Sequence, residues 1–394
     1  MISTAKLLAE LIALPSVNPA FLPALHPHAG EGRVAEFLAA VTASAGLDVE
    51  FQEVFPQRSN LLARLRPAGK IRRTILLAPH LDTVNVADEK HFVPTRRHGR
   101  LYGRGACDTK GCVATFVSAL CELAKTNSRP RETEIIFVGL VDEENAQAGS
   151  RALVRSSAFR RLGGSASTSL RKAEFQTPDL AIVGEPTQLR LVTAHKGSLW
   201  LRVETRGQAA HGATPQFGRN AVHLMSRVVD VLETVYAERL RQQQHPLLGH
   251  ATVSVGTIAG GTQPNIVPDH CVIGVDRRTL PDETERRVCR EITALLKAHG
   301  LDAKVTNQKQ SPCPALETDA EQPLVRQFLR CIGQPEPAGV HYFCDAAVLA
   351  GGGIPSVVFG PGDIAQAHTA DEWISLAELE RGKEMLLRFL KSLP

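Results

Sequence analysis

The sequence reads as an α/β protein with a mostly parallel sheet, interrupted by a smaller ferredoxin-like α+β unit. Three observations predict this. Short apolar runs at 74–78, 134–141, 180–183 and 354–359 lack polar alternation, as strands buried on both faces do. Helical stripes alternate with the first three runs, the arrangement of α/β folds. Between about 191 and 307 the pattern changes, and after Pro312 the first pattern resumes.

The elements follow in order. Residues 5–13 have helical spacing, with Leu7, Leu8, Leu11 and Ile12 on one side. A Pro- and His-rich loop follows, then a helix at 32–44 with a stripe of Val34, Phe37, Leu38 and Val41. Strands are expected at 49–54, 60–65 and 74–78, a helix at 111–125, and strands at 134–141 and 180–183. The Ser-, Gly-, Arg- and Lys-rich stretch 155–178 reads as a surface excursion. From there a strand at 198–205, a long helix at 220–240, strands at 252–258 and 271–276, a helix at 284–299 and a short strand at 303–306 give the order βαββαβ of a ferredoxin-like sandwich. A helix at 324–329, a buried strand at 354–359 and a closing helix at 374–393 complete the first pattern. The simplest organisation is one α/β domain, 1–190 and 308–394, split by an inserted domain, 191–307. Such insertions are tolerated because domain termini lie close together.

Composition excludes several classes. The chain has 394 residues, 43% hydrophobic and 22% charged, an ordinary globular mix with ample material for a core. A net charge of +4 without any Lys/Arg block, and only 5% aromatic residues, lacks the footprint of a nucleic-acid binder. Eight cysteines contain no C-x-x-C pair and read as reduced thiols in a cytoplasmic protein. Residues 1–19 do not read as a signal peptide, and no apolar stretch is long enough to span a membrane.

The chemistry gathers at strand ends. His80-x-Asp82 follows the 74–78 run, and residues two apart on extended chain share a side. Asp108 lies in the Gly-rich 103–111 segment at a helix start. Asp142, Glu143 and Glu144 end the second run, and Glu185 follows the third, in Gly-Glu-Pro-Thr. His368 follows the Gly360-Pro361-Gly362 turn, in Ala-His-Thr-Ala-Asp-Glu. Each alone has a plain alternative: a solvated turn, a helix cap, a surface histidine. Together they converge, because strand ends of an open α/β sheet share one face. A pool of His, Asp and Glu without Cys suits zinc, cobalt or manganese. A spare Glu beside a metal is the usual general base.

These five ordered motifs resemble those of the co-catalytic zinc family that contains acetylornithine deacetylase, succinyl-diaminopimelate desuccinylase, aminoacylase-1 and glutamate carboxypeptidase. The resemblance covers about 75–372. It implies a zinc-exopeptidase-like catalytic domain carrying a lid and dimerisation domain. His80 and Glu185 would hold one divalent ion, Glu144 and His368 a second, and Asp108 both. Asp82 would orient His80, and Glu143 would be the general base. The peptide after the shared Asp, here Asp108–Thr109, would be cis. In the inserted domain His211 would reach the site, and Asn265 and Arg278 would grip substrate, with Arg277 an open alternative one register position away. The implied cofactors are two divalent ions, zinc first and cobalt as the alternative. The implied reaction is hydrolysis of the amide of an N-acyl amino acid by a homodimer. The 359–372 segment is most like the acetylornithine deacetylase subgroup, while desuccinylase, aminoacylase and dipeptidase activities stay open. A small-molecule-binding relative without catalysis is the rival from another class.

Overall fold

The computed structural model describes residues 2–126, 128–156, 177–309 and 311–394. The excursion expected at 155–178 falls almost wholly outside them. Two compact units emerge: Met1–Thr193 with Thr318–Ala338 and Cys344–Pro394, and Ala194–Glu317 with Gly339–Phe343.

The first unit is built on a mixed sheet. Its four inner strands, Thr133–Gly139, Arg73–Leu77, Leu180–Val183 and Ser356–Val358, lie in that order and are all parallel. Their side chains are almost all buried, which explains the continuous apolar runs. The antiparallel partners sit outside this parallel core. The hairpin Asp48–Phe55 and Arg58–Leu65 flanks one edge, and Val192 pairs with Val358 at the other.

Helix Lys110–Ala124 is buried on nearly every side, as its Ala, Val, Phe and Leu content suggests. It packs against helices Thr4–Ile12 and Leu376–Lys391. Phe328 stacks on Phe389 with ring centres 4.3 Å apart and closes the same core. The C-terminal segment departs from the expected helix at 374. Trp373–Ser375 is first a strand, and Ser375 then caps the helix Leu376–Lys391 by accepting from the Glu378 amide.

That short strand belongs to a second sheet with Thr95–Arg97 and Arg100–Tyr102. The hairpin between the latter two turns at His98 and Gly99, both with positive φ, the pairing favoured by tight hairpins. Its register, Trp373 opposite Tyr102, brings 103–108 next to 368–372. Two further short helices, Ala148–Arg155 and Ala346–Gly351, have no counterpart in the sequence reading.

The second unit is a four-stranded antiparallel sheet in the order Thr252–Gly260, His270–Thr279, Gly197–Arg206, Lys304–Asn307. By chain order this is 2-3-1-4 with a helix after strands one and three, the ferredoxin-like arrangement. The first helix runs through Ala221–Val231, a π-turn at Leu232–Tyr236 and Ala237–Arg241; the second is Glu285–Ala298. Met225, Val228, Val288, Ile292 and Leu296 from these helices and Leu201, Val203, Ile273 and Val275 from the sheet form its core. No helix among the described residues is long and apolar enough to cross a membrane.

Candidate metal centre

The parallel strands deliver their C-terminal ends to one place. Beyond Leu77 the chain continues through a bridge between His80 and Leu140, with the Leu81 amide donating to the Leu140 carbonyl at 2.8 Å. This holds His80 beside the 142–144 turn. Glu185 follows Leu180–Val183, where Gly184 leaves no room for a side chain. A Cβ there would stand 2.8 Å from Pro79 Cβ and 2.9 Å from Cys112 Cβ.

Two groups of ligand atoms result. In one, His80, Asp108 and Glu185 offer atoms all within 4.8 Å of one another; in the other, Asp108, Glu144 and His368 do the same. Asp108 belongs to both. Its Oδ1 lies 3.1 Å from His80 Nε2 and its Oδ2 3.3 Å from His368 Nε2. His368 Nε2 is also 3.2 Å from Glu144 Oε2. The Asp108–Thr109 peptide is cis. The fold brings together the five residues expected to hold metal, in two groups that share Asp108.

Asp82 is fully buried and has more than one contact. His80 Nδ1 lies 2.9 Å from the Asp82 backbone carbonyl and 3.5 Å from its carboxylate Oδ1, so the carbonyl is the closer acceptor. The Asp82 carboxylate accepts from the Glu143 and Glu144 amides, each at 3.1 Å, and from Asn18 Nδ2 at 2.7 Å. It thus orients the turn that carries Glu143 as well as the imidazole. Asn18 also donates to Asp142 at 3.1 Å. Asp142 has a φ of 68°, and Glu31 accepts its amide at 3.1 Å while pairing with Arg58.

The site is crowded with acid. Burial, with neighbouring carboxylates adding to it, pushes Glu143 and Glu185 well above the usual carboxylate range, and Glu144 upward as well. Against its own burial, Asp108 is held low by hydrogen bonds from His368 and His80. Buried Asp345 accepts from Ser150 Oγ at 2.5 Å through one oxygen, and its other oxygen has no partner among the described residues. Burial raises it to about 7. Acidic groups collected this closely, with nitrogen and oxygen donors in two sets of three around one shared carboxylate, fit a pair of divalent cations.

The remaining expected residues lie in the second unit. His211 bridges to Ile266, and the Gly212 amide donates to the Asn265 carbonyl at 2.7 Å, so these two loops meet. Both residues are exposed. The two arginines separate by strand alternation. Arg277 is fully buried beneath the helices, donating to Tyr236 Oη at 3.2 Å and to Glu283. Arg278 faces the other way, half-buried, bonded to Asp276 at 2.9 Å and lying 5.8 Å from the centre of the Phe343 ring.

The profile of peptidase family M20/M25/M40 matches residues 76–392. The chain belongs to this family. Among curated relatives, the acetylornithine deacetylase of Proteus mirabilis (strain HI4320) is 29% identical over 398 residues, covering 98% of this chain and 96% of its own. That of Myxococcus xanthus is 31% identical over 361 residues, 88% of each chain. Among solved structures, the aminopeptidase PepT of Bacillus cereus ATCC 10987 superposes with a TM-score of 0.74 at 22% identity, covering 99% of this chain and 98% of the other.

Sequence reasoning missed the residues that support the centre: Asn18, Glu31, Arg58, Asp345 and the role of Glu372. Only Glu372 carried a signal, being four residues beyond His368 in the same motif.

Proposed function

We propose that this M20 chain is a dinuclear metal-dependent amidohydrolase that removes the acyl group of an N-acylated amino acid, with an acetylornithine-like substrate as the first choice. The observation that carries the reading is the shared Asp108 between two three-residue ligand groups, with Glu143 in the adjoining turn. His80 and Glu185 hold one ion, Glu144 and His368 the other, and Asp108 both. Zinc is the expected metal, with cobalt as the alternative. When bound, the ions supply positive charge that polarises a scissile carbonyl and makes water a stronger nucleophile.

The chain's own residues do the rest. Asp82 fixes His80 and the Glu143–Glu144 turn. Glu143 takes the proton of the attacking water and passes it to the departing amine nitrogen. His211 stabilises the developing oxyanion. Asn265 and Arg278 hold the substrate carboxylate or the oxyanion. Arg278 rather than Arg277 is assigned this role, because Arg277 is already committed to Tyr236 and Glu283. Residues 1–190 and 308–394 form the catalytic domain and 191–307 the lid and dimerisation domain of a cytoplasmic homodimer. The substrate preference is supported by the curated relatives' names and by the 359–372 segment.

The test is a screen of the zinc- and cobalt-loaded protein against N-acetylornithine, N-succinyl-diaminopimelate, N-acetyl amino acids and dipeptides. N-acetylornithine is expected to turn over best. Glu143→Ala is expected to lose about 10²–10⁴ in turnover while keeping its metal. A clear preference for the succinylated substrate overturns the substrate assignment. Absence of both bound metal and hydrolysis overturns the enzyme class.

A further inference from the structure

Glu372 is buried, and four hydrogen-bond donors converge on its carboxylate. Oε1 accepts from the backbone amides of Cys107 at 2.8 Å and Asp108 at 2.9 Å. Oε2 accepts from the Gly105 amide at 3.0 Å and from Arg104 Nη1 at 2.7 Å. The backbone joins in: the Gly103 amide donates to the Glu372 carbonyl at 3.0 Å, and Arg104 Nη2 reaches the Thr369 carbonyl at 3.3 Å. The 103–108 loop thus folds around one acidic side chain, its amides forming a concave anion-binding nest. Asp108, at the end of that loop, is the carboxylate shared by both ligand groups. His368, four residues before Glu372, is a ligand in only one of them.

We propose that Glu372 is a positioning residue of the metal centre, tying Asp108 to the segment that carries His368 and thereby setting the affinity for the ion at Asp108, Glu144 and His368. The proposal rests on the dinuclear reading above. The ion at His80, Asp108 and Glu185 keeps two ligands placed by the parallel strands, whereas the ion at Asp108, Glu144 and His368 has two, Asp108 and His368, that the clamp ties together. All four partners are donors, and an ionised carboxylate is acceptor-only, so both of its oxygens match the cradle. A glutamine would have to turn its NH₂ toward one pair of N–H donors. That pair would open, either at Asp108 itself or at Gly105 and Arg104. Outer partners that orient metal ligands commonly change affinity by about 10–100-fold when replaced.

The experiment is calorimetric titration of the metal-free full chain with zinc, for wild type and Glu372→Gln, with thermal unfolding of each. Wild type is expected to take up two ions. In Glu372→Gln one ion should bind within about threefold of wild type and the other about 10–100-fold more weakly. At limiting zinc its kcat should fall with little change in KM, and excess zinc should restore kcat. Should Glu372→Gln fail to fold, Glu372→Asp keeps the charge, shortens the reach and is measured in the same way. Two ions bound as in wild type overturn the proposal. Equal weakening of both ions together with a lowered Tm also overturns it, since that is a merely structural role. A wild-type chain that takes up fewer than two ions overturns the dinuclear reading itself, which separates the two failures.

Discussion

Buried His195 predicts a pH dependence of stability that has nothing to do with metal. It lies at the start of the second unit with no exposed surface. Its Nδ1 donates to the Lys196 carbonyl at 2.9 Å, and Nε2 has no partner among the described residues. Burial therefore disfavours the imidazolium and lowers the pKa from 6.5 to about 4. A histidine that is easier to protonate when unfolded stabilises the fold least in acid. Its full contribution is present above the unfolded value and is lost as pH falls toward the folded one. The whole loss is about 3 kcal/mol, and between roughly pH 7.5 and pH 5 about 2 kcal/mol of it is spent. Urea midpoints of wild type and His195→Gln, measured at those two pH values under the same metal concentration, isolate the group, because every other titrating residue is common to both proteins. Wild type should lose about 2 kcal/mol more than the variant on acidification. A difference between the two proteins that is the same at both pH values would refute a neutral, buried His195.

Other outcomes follow from contacts around the centre. Asn18→Ala removes the 2.7 Å donor to Asp82 and the 3.1 Å donor to Asp142, and should cost about 1–3 kcal/mol in denaturation and lower kcat. Wild-type values for both would show that the pair of carboxylates does not need it. Gly184→Ala forces a methyl against Pro79 and Cys112, so it should destabilise by about 1–3 kcal/mol and weaken metal binding through Glu185. Leu120→Ala, fully buried in the central helix, should cost about 2–5 kcal/mol by urea denaturation without changing metal stoichiometry.

The parts legible from sequence are those where chemistry and period coincide. The four inner strands announce themselves because both of their faces are covered, and the candidate ligand set because His, Asp and Glu recur near their ends. The strand at 271–276 was also visible, but whether Arg277 or Arg278 faces the helices depends on the register of the whole strand. Only the packing of Tyr236 and Glu283 decides it. Asn18, Glu31 and Arg58 were not legible because their roles exist only in tertiary contact. Glu31 and Asp142 are 111 positions apart yet share a 3.1 Å hydrogen bond. The three-residue strands and the six-residue helix Ala346–Gly351 are too short to show a period. Ser375 illustrates a local signal outweighed by pattern: as a cap three residues before Glu378 it marks the true helix start, one residue beyond the strand it ends.

The order of the candidate ligands along the chain has a consequence for synthesis. His80, Asp108 and Glu185 are made before the ferredoxin-like unit, whereas His368 comes after it. Glu185 and His368 are 183 positions apart (368 − 185). At ribosomal speeds that interval lasts about 10–40 s. For that time the nascent protein holds the side chains of one three-residue group while lacking the histidine of the other. For most of that interval the Ser356–Val358 strand that completes the parallel core is also unmade. Assembly of the second ligand group is thus a late event, coupled to the arrival of the last strand and the closing helix.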